Sequence, residues 1–313
     1  MNSVSGQRRA ALALRYAILV GLVALLLAPL CYLLATALAS PGVGMRISDN
    51  PLALLWPAEW RWENFAEVWR VIPFSRYYAN SLFVALAITA GQTLTSACAA
   101  FAFARLEWPG RDKIFLCYLA TLMVPGAVTM LPNFVLMKML PDAMAGLAPV
   151  LDWRAMRYVG SGEHAVEVGR LVGLDSYFAL IAPGMFSAYG TFMLRQYFLT
   201  IPRQIDEAAK IDGCGYWRLF RSILLPLATP GLATLAIFTF VGAWSSFLWP
   251  LVVLSRDDLR TLPLALPIFQ SQYGAEWHLL MAAALLMLLP SLLVFLFGQR
   301  YFVHGLAVGA VKG

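Results

Sequence analysis

Six long stretches of the chain carry no charge, and the apolar positions crowd into them. Residues 16–45, 77–104, 114–137, 176–194, 222–255 and 277–299 contain no Asp, Glu, Lys or Arg. One such charge at the centre of a bilayer costs roughly 2.5–3.5 kcal/mol, and about 20 apolar residues in a helix cross its hydrocarbon core. The pattern predicts an all-α polytopic membrane bundle of six transmembrane helices, over about 16–38, 79–104, 114–137, 176–194, 231–254 and 279–299. Pro41-Gly42 trims the first run, and Pro226 with Pro230-Gly231 trims the fifth. Residues 1–15 become a cytoplasmic N-terminus, 16–303 a permease-like membrane domain, and 304–313 a cytoplasmic tail whose Gly305, Gly309 and Gly313 are expected to break regular structure. The run Tyr16–Leu38 exceeds the ~7–15 residues of a signal-peptide core and reads as a retained anchor.

The connections carry their own patterns. Residues 39–76 hold Trp56, Trp60, Trp62 and Trp69, and aromatic rings with a polar edge suit the headgroup layer, so an interfacial helix is expected near 62–72. Residues 138–175, with Pro141, Gly146, Pro149, Gly160 and Gly162, read as a loop with short helical pieces. Residues 200–226 are different. Pro202 suits the first turn of a helix, Gly213 suits the position just past its end, and Ile205, Ala208, Ala209 and Asp212 between them follow the spacing of one helical face. A short exposed helix with small side chains is a docking element.

Composition agrees with a lipid environment: 60% of the 313 residues are hydrophobic and 13% charged, with a mean hydropathy of +0.71. The net charge of +6 is a topology signal. With both termini cytoplasmic, the cytoplasmic segments hold 13 Lys/Arg against 10 in the longer outer connections. Spread over short connections, this charge gives no nucleic-acid footprint. Cys31, Cys98 and Cys117 fall in spans and Cys214 in a loop, so no disulfide framework is expected.

None of the six spans holds an Asp, Glu, Lys or Arg with which to bind or relay a coupling ion. The chain also lacks a Gly-Lys dipeptide and therefore a phosphate-binding loop. Energy is expected from a separate polypeptide. A membrane-embedded enzyme is the rival reading, but His164, His278 and His304 share no metal-ligand spacing and no Gly-x-Ser-x-Gly elbow occurs. Neither a catalytic residue nor a metal site is expected. For a solute path, the uncharged polar residues Asn80, Gln92, Asn133, Ser187, Tyr189, Thr191, Ser245 and Ser246 are candidates, since amides and hydroxyls hydrogen-bond a neutral polyol without burying charge. Packing between helices is the competing role for each.

Glu207-Ala208-Ala209, then Gly213, Ile223 and Leu225-Pro226, matches the EAA signature of permease subunits of binding-protein-dependent ABC importers. Asn80-Ser81-Leu82, Pro125, Pro132-Asn133, Gly190–Gln196, Phe247–Pro250 and Gly309–Gly313 extend the likeness from about Tyr78 onward, and the whole resembles the carbohydrate-uptake class. The resemblance implies that Glu207, Ala208, Ala209, Gly213, Ile223, Leu225 and Pro226 couple to an ATPase. It also implies that Val311, Lys312 and Gly313 touch that ATPase, and that ATP and magnesium bind there and no cofactor binds this chain. The implied partners are a second permease, an ATPase dimer and an extracytoplasmic solute-binding protein, in a plasma (inner) membrane. The sequence departs from the class at Trp244-Ser245-Ser246, where an amide or acid is usual, and in the length of 138–175, which fits either a surface insertion or a binding-protein contact. A solute other than a carbohydrate remains an alternative.

Overall fold

The computed structural model describes residues 2–41, 59–147, 157–159, 166–168, 172–271 and 274–310. Helices dominate. In chain order they are α1 (Asn2–Ala37), α2 (Glu63–Val71), α3 (Phe74–Arg105), α4 (Arg111–Ala120), α5 (Gly126–Leu147), α6 (Tyr177–Ile181), α7 (Ala188–Thr200), α8 (Arg203–Ile211), α9 (Tyr216–Arg218), α10 (Leu225–Leu227), α11 (Thr229–Trp244), α12 (Leu248–Val253), α13 (Leu262–Ala265) and α14 (Trp277–Ala310). A π-helical segment, Leu219–Leu224, joins α9 to α10. The helix expected near 62–72 is α2.

Among the described residues, Leu12–Ala37, Phe74–Arg105, Tyr177–Thr200 and Trp277–Arg300 are long and apolar enough to cross a membrane, and two bent pairs raise the total to six if each is one span. The expected straight helix over 114–137 is corrected: Arg111–Met123 and Gly126–Met144 meet at 101°. Val124 is extended, at φ −82° and ψ 118°, because the ring of Pro125 clashes with a helical residue before it. The expected helix over 231–254 is also interrupted. It ends at Trp244 and resumes as α12, and the Ser245 hydroxyl bonds back to the Val241 carbonyl at 2.7 Å, competing with the helical ladder. Upstream, Tyr216–Leu227 and Thr229–Trp244 meet at 77° across Ala228, which sits at φ −89° and ψ 7°.

Two further expectations change. The connection 138–175 contains a two-stranded antiparallel ladder, Arg157–Val159 with Val166–Val168, rather than short helical pieces alone; the β-branched valines at its ends favour the pleated backbone. A second small ladder pairs Gln270–Ser271 with Gly274–Ala275. At the C-terminal end, Gly305 and Gly309 do not interrupt the chain, since α14 runs to Ala310. A glycine inside a helix costs only roughly 0.5–1 kcal/mol, and propagation of an established helix absorbs that. Val311, Lys312 and Gly313 lie outside the described residues.

The chain divides into two compact units, Met1–Ser75 with Ala265–Leu289, and Arg76–Leu264 with Pro290–Gly313. In the first, the buried Asn64 amide donates to the carbonyls of Ala37 and Ala39 at 2.8 and 2.9 Å, closing the end of α1 where carbonyls have no helical partner. In the second, Ala97, Ala100 and Ala104 of α3 pack with Leu194 and Phe198 of α7, with Leu219, Phe220 and Leu224 of the π segment and with Leu235 of α11. Large apolar side chains on the spans stay uncovered, as with Leu26 at 72% and Met123 at 84% exposure. Lipid makes that arrangement free of penalty.

Candidate functional site

The second unit contains a cavity of about 870 Å³. α3 contributes Ser81, Val84, Ile88 and Gln92 to its wall; α5 contributes Gly126, Thr129, Met130 and Asn133; and α11 with the break after it contributes Thr239, Ser245, Ser246 and Trp249. Each supplying element has a local reason to be there. The turn at Pro125 redirects α5, and the break after Trp244 frees Ser245 and Ser246 from the helical barrel. No Asp, Glu, Lys, Arg or His belongs to the wall. Such a space offers hydroxyls, amides and apolar faces, the donors and acceptors a neutral polyhydroxylated molecule needs.

Of the path candidates, Gln92, Asn133, Tyr189, Ser245 and Ser246 line this cavity. Gln92 Nε2 donates to Thr239 Oγ1 at 2.8 Å, so one amide hydrogen bond is already committed to holding α3 against α11. Asn80 and Thr191 do not line it. Asn80, 6% exposed, donates to the carbonyls of Asp258 and Arg260 at 2.9 and 3.0 Å and accepts from the Tyr177 hydroxyl at 2.7 Å. It anchors the segment 257–262. Beside that segment Arg256 holds the Asp258 carboxyl below the usual carboxylate range through hydrogen bonds at 2.9 and 2.8 Å. Thr191 is buried at 1% in the first turn of α7, where Ser187 accepts from the backbone N–H of Gly190 at 3.0 Å as a helix cap. Sequence reasoning missed Thr129, Thr239 and Trp249. Their polarity is ordinary for a span, and nothing in the spacing marks them.

The connection after α7 forms a second surface. α8 closes with two backbone bonds, Gly213 N–H to Lys210 O at 3.0 Å and Cys214 N–H to Ala209 O at 2.9 Å, with Gly213 at φ +72°. This is the Schellman arrangement, which a glycine enters without the steric cost of a Cβ. Glu207, Ala208, Gly213 and Pro226 are exposed, whereas Ala209 is buried and Ile205, Ile223 and Leu225 pack partly against the core around Leu194, Phe198 and Leu224. The signature residues therefore divide into an outward set and an inward set. Exposed Ile211 (86%) and Trp217 (67%) widen the outward face, and Lys210 Nζ lies 5.6 Å from the Tyr216 ring.

The histidines do not gather. His278 lies 3.5 Å from Glu276, His304 falls late in α14, and His164 is outside the described residues. Among the described residues no three His, Cys, Asp or Glu side chains converge as metal ligands.

Comparison with known proteins places this geometry. Residues 91–308 match the family model described as the inner membrane component of binding-protein-dependent transport systems. The chain is 34% identical over 237 residues to an arabinooligosaccharides transport system permease protein of Halalkalibacterium halodurans, covering 76% of this chain and 74% of that one. It is also 34% identical over 269 residues to an sn-glycerol-3-phosphate transport system permease protein of Pectobacterium atrosepticum, covering 83% and 84%. Among solved structures, a chain of a bacterial ABC transporter that imports the acidic polysaccharide alginate aligns with TM-score 0.72 at 20% identity, covering 94% of this chain and 97% of that one. A second alginate transporter structure, in complex with a pentasaccharide-bound periplasmic protein, aligns with TM-score 0.59 at 12% identity over 96% of each chain. The matched region contains both α8 and most of the helices that build the cavity, and the chain belongs to the family of binding-protein-dependent ABC importer permeases.

Proposed function

We propose that this chain is the permease half of a sugar importer, forming with a second permease the path for a neutral saccharide or polyol and docking through α8 on a separate ATPase dimer. The observation that carries the reading is α8: a nine-residue helix with a glycine-closed end and an exposed Glu207-Ala208 face, on a connection rich in basic residues. The cavity wall supports the solute class, as does the likeness to a permease for arabinooligosaccharides. An extracytoplasmic binding protein delivers the solute, and ATP with magnesium is bound and hydrolysed on the ATPase, so this chain performs no catalytic step. Both termini face the cytoplasm of a plasma (inner) membrane.

Glu207→Lys tests the docking surface without touching a span, because it reverses the charge offered to a partner groove. The variant is expected to insert and to copurify with its partner permease while recovering less than about a tenth of the ATPase. Undiminished ATPase recovery overturns α8 as the docking element.

A further inference from the structure

Two arginines cross-brace the same end of α3 and α7. Arg105, the last residue of α3, has a side chain only 2% exposed, and its Nη2 donates to the carbonyls of Phe198 and Ile201, both at 2.9 Å. Arg195 of α7 answers in the opposite direction. Its Nε donates to the Phe103 carbonyl at 3.2 Å, its guanidinium carbon lies 4.2 Å from the centre of the Phe115 ring, and its Nη2 is 3.8 Å from Asp112. Each helix thus holds the end of the other through a planar fork that a lysine cannot imitate.

Arg105 makes one more contact, and it leaves the pair. Its Nε stands 3.3 Å from the carboxylate of Asp206, on α8, whose side chain is 13% exposed. The other carboxylate oxygen of Asp206 is buried with no hydrogen-bond partner among the described residues, so its charge is compensated chiefly by Arg105. Separating two buried charges leaves each uncompensated in a low dielectric, far costlier than breaking an exposed pair. A displacement of α8 is therefore transmitted to α3 rather than taken up by sliding.

What α3 and α7 do elsewhere gives the tie its meaning. Gln92, thirteen residues or about 20 Å from Arg105 along α3, and Tyr189 at the start of α7 both line the cavity. Between cavity and clamp the two helices leave no space to slip: a Cβ at Gly190 would stand 2.6 Å from Ser96 Oγ, and one at Gly91 2.5 Å from the Met185 side chain.

We propose that Arg105 and Asp206 are the positioning residues that lock α8 to the α3–α7 pair, so that movement imposed on α8 from the cytoplasm turns the cavity wall at Gln92 and Tyr189. The proposal rests on α8 docking the ATPase, and the experiment separates the two. In the assembled transporter, with Cys31, Cys98, Cys117 and Cys214 replaced by serine and Tyr189→Cys as reporter, maleimide labelling is measured before and after trapping with ATP and vanadate. Labelling of the otherwise native chain is expected to change at least threefold on trapping. Asp206→Asn should retain the ATPase and its basal hydrolysis yet lose most of that response. Asp206→Glu should restore it, and Arg105→Lys should restore it only in part, because one ammonium cannot serve two carbonyls and a carboxylate together. A nucleotide response in Asp206→Asn within twofold of the parent overturns the proposal, as does a parent with no response. Joint loss of assembly, hydrolysis and response without rescue by Asp206→Glu also overturns it, since the pair would then serve only folding. Loss of ATPase recovery confined to Glu207→Lys upholds the docking reading independently.

Discussion

Single residues in this chain separate by what their polar atoms already hold. Asn80 and Gln92 are both span amides, but Asn80 has its two donors and its acceptor engaged by backbone and Tyr177, while Gln92 reaches the cavity. Asn80→Ala leaves two buried carbonyls unmatched, at roughly 1–3 kcal/mol each. The expected outcome is a melting temperature several degrees lower in detergent, with the apparent affinity for solute unchanged in the surviving protein. Ser245→Ala should show the reverse, a changed half-saturation for uptake at constant melting temperature. Gly213 isolates a conformational cost. A Cβ there meets nothing within 4 Å, so a side chain is penalised only by the left-handed backbone, roughly 1–2 kcal/mol. Gly213→Asn should retain most uptake and Gly213→Val little, as assayed by transport in cells expressing equal amounts of each. Gly213 was legible in the sequence because its turn is local. Asn80 and Gln92 could not be told apart there, because the partners of Asn80 lie 178 and 180 residues away.

At the scale of elements, what was legible is whatever depends on composition along a segment. The absence of charge located the apolar runs, and the proline and glycine around α8 bounded that helix to within a residue. Direction was not legible. Hydropathy sums a transfer free energy over a window and carries no information on bending, so the turn at Val124-Pro125 and the break after Trp244 were read as straight helix. Those two interruptions are what bring Asn133, Ser245 and Ser246 to one cavity wall. The packing of α3 against α7 was invisible for another reason: small residues are common in spans, and only the fold shows which of them face a neighbour. Gly190→Val should therefore lower the melting temperature of the purified complex more than Gly242→Val, since a Cβ at Gly242 meets nothing within 4 Å. Fluorescence-detected thermal unfolding of the two variants compares them directly.

For the molecule as a whole, the proposed orientation rests on the uneven distribution of 13 and 10 basic residues between the two sides. In a background lacking native cysteines, Lys210→Cys should resist a membrane-impermeant maleimide in intact spheroplasts, and Gly160→Cys should react. The opposite pattern reverses the topology. The π-helical stretch Leu219–Leu224 has a consequence for how the two halves of the bundle are timed. A π turn is an α-helix holding one residue more than it needs, and each residue of an α-helix turns its successor by about 100° around the axis. The interval between Gly213 and Pro226 therefore acts as a gear tooth, setting the angular phase of α11 against α8. Deleting Ser222 should let the stretch relax to an ordinary helix that is no less stable, while every side chain from Leu225 onward points about a quarter-turn away from its seat. The chain should still insert in the membrane, as judged by protease protection of its ends, yet fail to pair its second half with Leu194 and Phe198.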